Sequence, residues 1–169
     1  MRRAVIGGGV LGMLVVAWTY VMGFTGWYLD PEMLSLFWVV VVLQVVVLAV
    51  LLTRTRAGRT YGAQVGMGMV ASAVAAVFVF IGSVLFTMVV FPEYFDELLT
   101  MQERLLRAEG LPEETVVARL DEARASQTPI GQAFASFMGT LGVGILASLL
   151  LAIGLRDRSA TKPTPSEAS

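Results

Sequence analysis

The amino-acid sequence predicts an all-α integral membrane fold of four transmembrane helices, with an extracytoplasmic helical hairpin between the third and the fourth. Three features lead there. Apolar residues make up 56% of the chain and charged ones 15%, against roughly 45–50% and about 25% in soluble domains. The charges are segregated: none lies between Arg3 and Asp30, Glu32 and Arg54, Arg59 and Glu93, or Arg124 and Arg156. The shortest of these stretches, Met33–Thr53, holds 21 residues. As a helix rising ~1.5 Å per residue it covers about 30 Å, the hydrocarbon thickness of a bilayer. At 169 residues the chain has room for one compact unit, so residues 1–158 are expected to form a single membrane domain.

The first span, about 5–26, follows Met1-Arg2-Arg3. A basic start before an apolar run also describes a signal peptide, but Trp18, Tyr20, Trp27 and Tyr28 stand where small cleavage-site residues belong, so the segment is expected to stay as a helix. The second, about 33–52, is rich in valine; its length favours helix, since buried strands run about 4–8 residues. The third, about 64–91, is closed by Pro92, and the fourth covers about 134–155. Residues 159–169 carry Pro163 and Pro165 among Ser, Thr and Ala and are expected to be a disordered tail.

Orientation is set by arginine. Arg2 and Arg3 precede the first span, Arg54, Arg56 and Arg59 fill the second connection, and Arg156 and Arg158 follow the fourth. With four spans these three segments share one side, so both termini are expected in the cytoplasm. The other side receives Asp30, Glu32 and the third connection, which between Glu93 and Arg124 has nine acids and four arginines, a net of −5.

That connection, about 92–127, reads as helical. Tyr94, Leu98, Met101 and Leu105 form one apolar stripe. Glu103 and Arg107 are an i,i+4 pair in the favourable order. Gly110 suits a helix stop, and Leu111-Pro112-Glu113-Glu114 a restart with acids in the first turn. Val116, Val117, Leu120 and Ala123 supply a second stripe, which Gln127-Thr128-Pro129 ends. A hairpin and one bent helix both fit.

Gly7-Gly8-Gly9-Val10-Leu11-Gly12 matches the G-x-G-x-x-G dinucleotide fingerprint, and Asp30 and Glu32 lie near the place of a ribose-binding acid. That chemistry needs a strand before the glycines and a βαβ sheet around them. Here an all-round apolar stretch and a second span follow, so the glycines are expected to serve helix packing instead. Small residues at four-residue spacing recur as Gly8 and Gly12, as Gly62 and Gly66, and as the ladder Ser136, Thr140, Gly144 and Ser148. All eight are expected at helix–helix seams, within one copy or between copies of a homo-oligomer. Gln44, near the middle of the second span, is the one intramembrane polar residue of interest; an interhelical hydrogen bond is its plain role and a solute contact the alternative. Ser72, Ser83 and Thr87 can bond back to their own helix.

Taken together, these features resemble a bacterial membrane family known as domain of unknown function 4199, over about residues 4–158. The likeness rests on the connection from Arg54 to Gly66, the exit Phe91-Pro92-Glu93-Tyr94-Phe95, the acidic segment, Thr128-Pro129, and a glycine-bearing last span ending at Arg156. The resemblance implies four spans in a bacterial membrane and no activity or catalytic residues.

Function is less legible. With no cysteine and no histidine there is no thiol nucleophile, no Cys/His metal site and no imidazole acid–base pair. No enzyme, cofactor, metal or nucleic-acid partner is expected. The bilayer is the expected surrounding. A structural or accessory component that contacts another membrane or extracytoplasmic protein through residues 92–127 is the expected role, with a small oligomeric transporter or channel as the alternative.

Overall fold

The computed structural model describes residues 1–55, 57 and 60–155. The expectations placed on Arg56, Arg59, Arg156, Arg158 and the tail 159–169 lie outside the described residues. Six helices follow in order: α1 (Arg2–Thr25), α2 (Trp38–Arg54), α3 (Tyr61–Leu85), α4 (Tyr94–Ala108), α5 (Glu113–Ser126) and α6 (Pro129–Leu155). Among the described residues there is no strand, so the glycine fingerprint lies in the first turns of a continuous helix. Counting the turns that extend α2 and α3, four helices are long and apolar enough to cross a membrane.

Local chemistry fixes where these helices start and stop. Gly26, at φ 71°, ends α1 and donates its N–H to the Gly23 carbonyl at 3.1 Å. Five residues of 3₁₀ helix, Met33–Phe37, lead into α2. Thr60 caps α3 by accepting the Ala63 N–H at 3.4 Å. At its far end α3 loosens into a π-helical turn, Phe86–Val90, where the Phe91 N–H reaches back to the Phe86 carbonyl at 2.8 Å. The fourth long helix starts five residues before the expected position. Thr128 accepts the Gly131 N–H at 3.1 Å and Pro129 takes the first helical position, where its missing donor costs nothing. The Thr-Pro pair therefore opens α6 as well as following α5.

The four long helices form a ring in which α3 packs against α1 on one side and α6 on the other. Helix α2 closes the ring between α1 and α6. Helices α1 and α3 run parallel, Gly8 lying against Ala71 and Gly12 against Ala75. Helix α6 runs antiparallel to α3, with Ser148 against Gly68. The core is Leu11, Val15, Leu48, Leu52, Met67, Ala71, Ala75 and Ala147. Val10, Val42, Val46, Ile81, Leu146, Leu150 and Ile153 point outward and are exposed, a surface that water solvates poorly and hydrocarbon does not.

One end of the ring carries α4 and α5; at the other α1 begins and α6 finishes. An aromatic cluster occupies the α4–α5 end. Phe86 lies 5.4 Å from Tyr20, 4.6 Å from Phe91 and 5.3 Å from Tyr94, and Tyr94 lies 5.0 Å from Tyr28. It joins the end of α3, the connection after α1 and the start of α4. Helices α4 and α5 touch each other across a turn at Gly110, whose φ is 73°. Their stripes differ from expectation: Tyr94, Leu99 and Val116 are the buried residues, while Leu105 and Val117 are exposed. A short helix resting on a bundle end buries what faces down, so a partial turn of register decides which side chains those are.

Candidate functional site

Two places in the molecule concentrate polar groups, one inside the ring and one at the α4–α5 end. The inner one is built on a reciprocal match between α3 and α6. Each helix supplies a glycine and, four residues on, a serine: Gly68 and Ser72, Gly144 and Ser148. Because the helices are antiparallel, each serine faces the other helix's glycine. A Cβ on Gly68 would collide with Ser148, and one on Gly144 with Ser72. The serine protons go to their own helices, Ser72 Oγ to the Gly68 carbonyl at 2.8 Å and Ser148 Oγ to the Gly144 carbonyl at 2.6 Å. Hydroxyls satisfied this way can be buried without stranding a donor.

Gln44 enters this layer from α2. Its Nε2 donates to the Thr140 carbonyl at 2.5 Å, and its side chain is buried. The same glycine makes room for it: a Cβ on Gly144 would sit 2.7 Å from the Gln44 Nε2. Of the predicted ladder, Thr140, Gly144 and Ser148 are buried in this layer and Ser136 is half-buried beyond it. Gly8 and Gly12 lie where α1 meets α3; a Cβ on Gly12 would be 2.5 Å from the Phe78 Cβ and 3.0 Å from the Ala75 carbonyl oxygen.

Gly62 and Gly66 differ from these: among the described residues nothing stands within 4 Å of a Cβ built on either, so within one copy neither makes a close approach. Two residues rotate a helix by about 200°, which turns Gly66 away from the face that Gly68 presents to α6. The signal that finds Gly68 is its spacing to Ser72, the same as Gly144 to Ser148. Gln64, one turn before Gly68, is fully buried, and both polar atoms of its side chain lack a hydrogen-bond partner among the described residues. No expectation fell on Gln64 from the sequence, because its place so close to the arginine-bearing connection reads as a polar helix end.

The second place lies outside the ring. A groove of about 570 Å³ runs between the connection after α1 and helix α4. Leu29, Pro31, Met101 and Leu105 give it apolar walls; Glu93, Asp96 and Glu97 give it negative charge, with Arg104 as its one cation. Tyr28 donates its hydroxyl to the Glu97 carboxylate and so fastens α4 to that connection. Burial pushes the Tyr28 hydroxyl well above the ordinary tyrosine range, and the Glu97 carboxylate raises it further; burial raises Tyr94 as well. Arg107 bridges Glu103 at 3.0 Å and, across the turn, Glu113 at 2.8 Å. Among the described residues no group of three or more acids is placed to hold a metal ion.

Of the basic residues expected to set topology, the three that are described gather at one end. Arg2 and Arg3 lie in the first turn of α1 and Arg54 in the last turn of α2, all three exposed at the end opposite α4 and α5. A search of the curated proteins finds no match, and a search of the solved structures finds none. The family comparison is positive: the model described as "Protein of unknown function (DUF4199)" matches residues 7–157, from the glycine run of α1 to just past the end of α6, and the chain belongs to that family.

Proposed function

We propose that the protein is a polytopic component of a bacterial inner membrane, with both termini cytoplasmic. In this reading α4 and α5 form an extracytoplasmic hairpin that docks another membrane or extracytoplasmic protein. The role is structural or accessory, with no chemistry of its own. One observation carries it: the groove beside α4 combines apolar walls with carboxylates that pair with no cation among the described residues. An apolar-walled, charged-rim groove is the ordinary form of a recognition surface. The channel alternative draws less support, because the Gln44 amide is committed to the Thr140 carbonyl and the ring around it is filled by Leu11, Leu48, Met67 and Ala71.

The test is photo-crosslinking in native membranes. A crosslinking residue at Met101, in the groove, should yield a discrete protein adduct; one at Leu150, on the outward face of α6, should yield lipid adducts only. No protein adduct at Met101, or the same adduct from Leu150, overturns the reading.

A further inference from the structure

On the ring axis, toward the α4–α5 end, lies a partly enclosed chamber of about 90 Å³. Helical cores are packed closely enough that voids larger than one water are few, and this one equals roughly three waters at about 30 Å³ each. Three of the long helices and the turn before the fourth reach it: Thr19 from α1, Phe37 from the 3₁₀ turn leading into α2, Ser83 and Thr87 from α3 and its π-helical turn, Ser136 from α6. π-helical turns of this kind occur often at functional sites.

The lining is uncharged: the hydroxyls of Thr19, Ser83, Thr87 and Ser136 are set among Val16, Val79, Phe37 and Phe86 and the rings of Tyr20 and Tyr94. Thr19 and Thr87 give their hydroxyl protons to their own helices, to the Val15 and Ser83 carbonyls at 3.0 Å each, and keep only acceptor capacity. The Ser83 and Ser136 hydroxyls, by contrast, form no hydrogen bond among the described residues and can both donate and accept. No Asp, Glu, Lys or Arg borders the chamber, so an ion would enter without a counter-charge and bear the full cost of desolvation. Small-molecule sites are mostly apolar, with a few placed polar groups that fix the ligand's orientation; the Ser83 and Ser136 hydroxyls, set among valine and aromatic side chains, are groups of that kind. Gln132, exposed on the first turns of α6, stands at the mouth. Val16 and Val79 floor the chamber, and the Gln44–Thr140 layer lies one helical turn beyond Ser136.

We propose that this chamber is a binding site for a small uncharged solute that donates and accepts hydrogen bonds, a primary amide being the best match, entering from the α4–α5 end and stopping at the Gln44 layer. Its volume admits a guest of about four non-hydrogen atoms. The inference is independent of the docking role given to α4 and α5.

The chain has no cysteine, so one introduced thiol can be followed alone. In the full protein reconstituted into vesicles, Ser136→Cys, a near-isosteric change, should be alkylated by iodoacetamide. Ser148→Cys, in the closed α3–α6 layer, should react at least roughly tenfold more slowly, an opening cost of about 1.4 kcal/mol. Acetamide, the unreactive analogue, should slow the Ser136→Cys reaction along a saturating curve, as a competitor for one site does. Failure of both Ser136→Cys and Ser83→Cys to react shows a chamber closed to solutes and overturns the proposal. Alkylation that acetamide does not slow shows a wet crevice without a site and overturns it equally. Equal rates at Ser136→Cys and Ser148→Cys show a loosened ring with no separate chamber, which overturns it too.

Discussion

Gly144 faces two side chains, Ser72 and Gln44, that both occupy the place a Cβ would take, so a methyl there has two neighbours to displace. Gly144→Ala would push Ser72 and the Gln44 amide aside together. We expect a loss of about 1–3 kcal/mol, as for overpacking elsewhere, plus the Gln44 hydrogen bond, worth about 0.6 kcal/mol on average in membrane helices. Thermal unfolding in detergent measures it. Gly9→Ala is the contrasting case: the nearest atom to a Cβ there is the Phe78 Cε2 at 3.9 Å, an ordinary contact, and no loss is expected. Equal losses at the two positions would mean that the α3–α6 layer is not the tight seam. Gln64 makes the opposite prediction. A buried amide without a partner costs about 1–3 kcal/mol, so Gln64→Leu, of similar volume, should raise the unfolding temperature. A lowered one would show that the amide is satisfied in the folded protein. These positions also mark what a single sequence reveals. Spacing by four identifies residues that share a face, and it singles out Gly8, Gly12, Gly144 and Ser148. It cannot tell which face meets a neighbour. Gly62 and Gly66 obey the same spacing and meet nothing within one copy among the described residues, while Gly68 lies among the same glycines and meets Ser148.

Helix α4 meets the ring end through a few side chains, aromatic ones prominent among them. Tyr94 and Leu99 are its buried residues, and Tyr28 reaches it through Glu97. The latch works with a neutral phenol, since a phenolate would face a carboxylate. Burial and Glu97 raise the Tyr28 value above that of the unfolded chain, so its contribution to stability is complete below the ordinary tyrosine value of about 10. It is lost as the pH climbs through the higher folded value. A tyrosinate absorbance titration should therefore show Tyr94 and Tyr28 ionising later than a free tyrosine, Tyr28 last, and Tyr28→Phe should remove that last phase while leaving the one of Tyr94. Hydrogen exchange in α4 should quicken in Tyr28→Phe at neutral pH, by the order of one hydrogen bond, about 0.5–1.5 kcal/mol. Unchanged exchange would sever the latch from the position of α4. The sequence announces α4 and α5 through their charges, proline and Gly110, which are local signals. It does not announce the latch, because Tyr28 and Glu97 lie far apart in the chain and meet only once α1 and α3 pack in parallel. The start of α6 is hidden for a different reason: Thr128 and Pro129 serve as a stop and as a cap in the same letters.

At the scale of the molecule, charge and packing point the same way along one axis. Arg2, Arg3 and Arg54 stand at one end of the ring, while Asp30, Glu32 and the acids of α4 and α5 stand at the other. The ring needs α1 and α3 parallel and α2 and α6 opposed to them, so four crossings return the chain to the side where it began. Positive segments are retained on the cytoplasmic side during insertion, and short loops obey this most strictly. The connection between α2 and α3 is short and holds three arginines from Arg54 to Arg59; the connection after α1 is short and holds Asp30 and Glu32 alone. In the proposed orientation both place the α4–α5 end outside. A phosphatase reporter that is active only outside the cytoplasm should therefore work when fused after Ala108, within α4, and fail when fused after Leu155, at the end of α6. The reverse pair of results would invert the molecule and place the acidic groove in the cytoplasm. Activity at both sites would mean that one of the four apolar helices does not cross, and α2, whose membrane-length span of 20 residues is the shortest, would be the first to examine. Replacing Arg54 by Glu sharpens the test. If the arginines hold the second connection inside, this one change should lower reporter contrast between the two fusions, whereas Arg119→Glu on α5 should leave it unaltered. Equal effects at both sites would show that packing of the ring, and not retention of charge, sets the orientation.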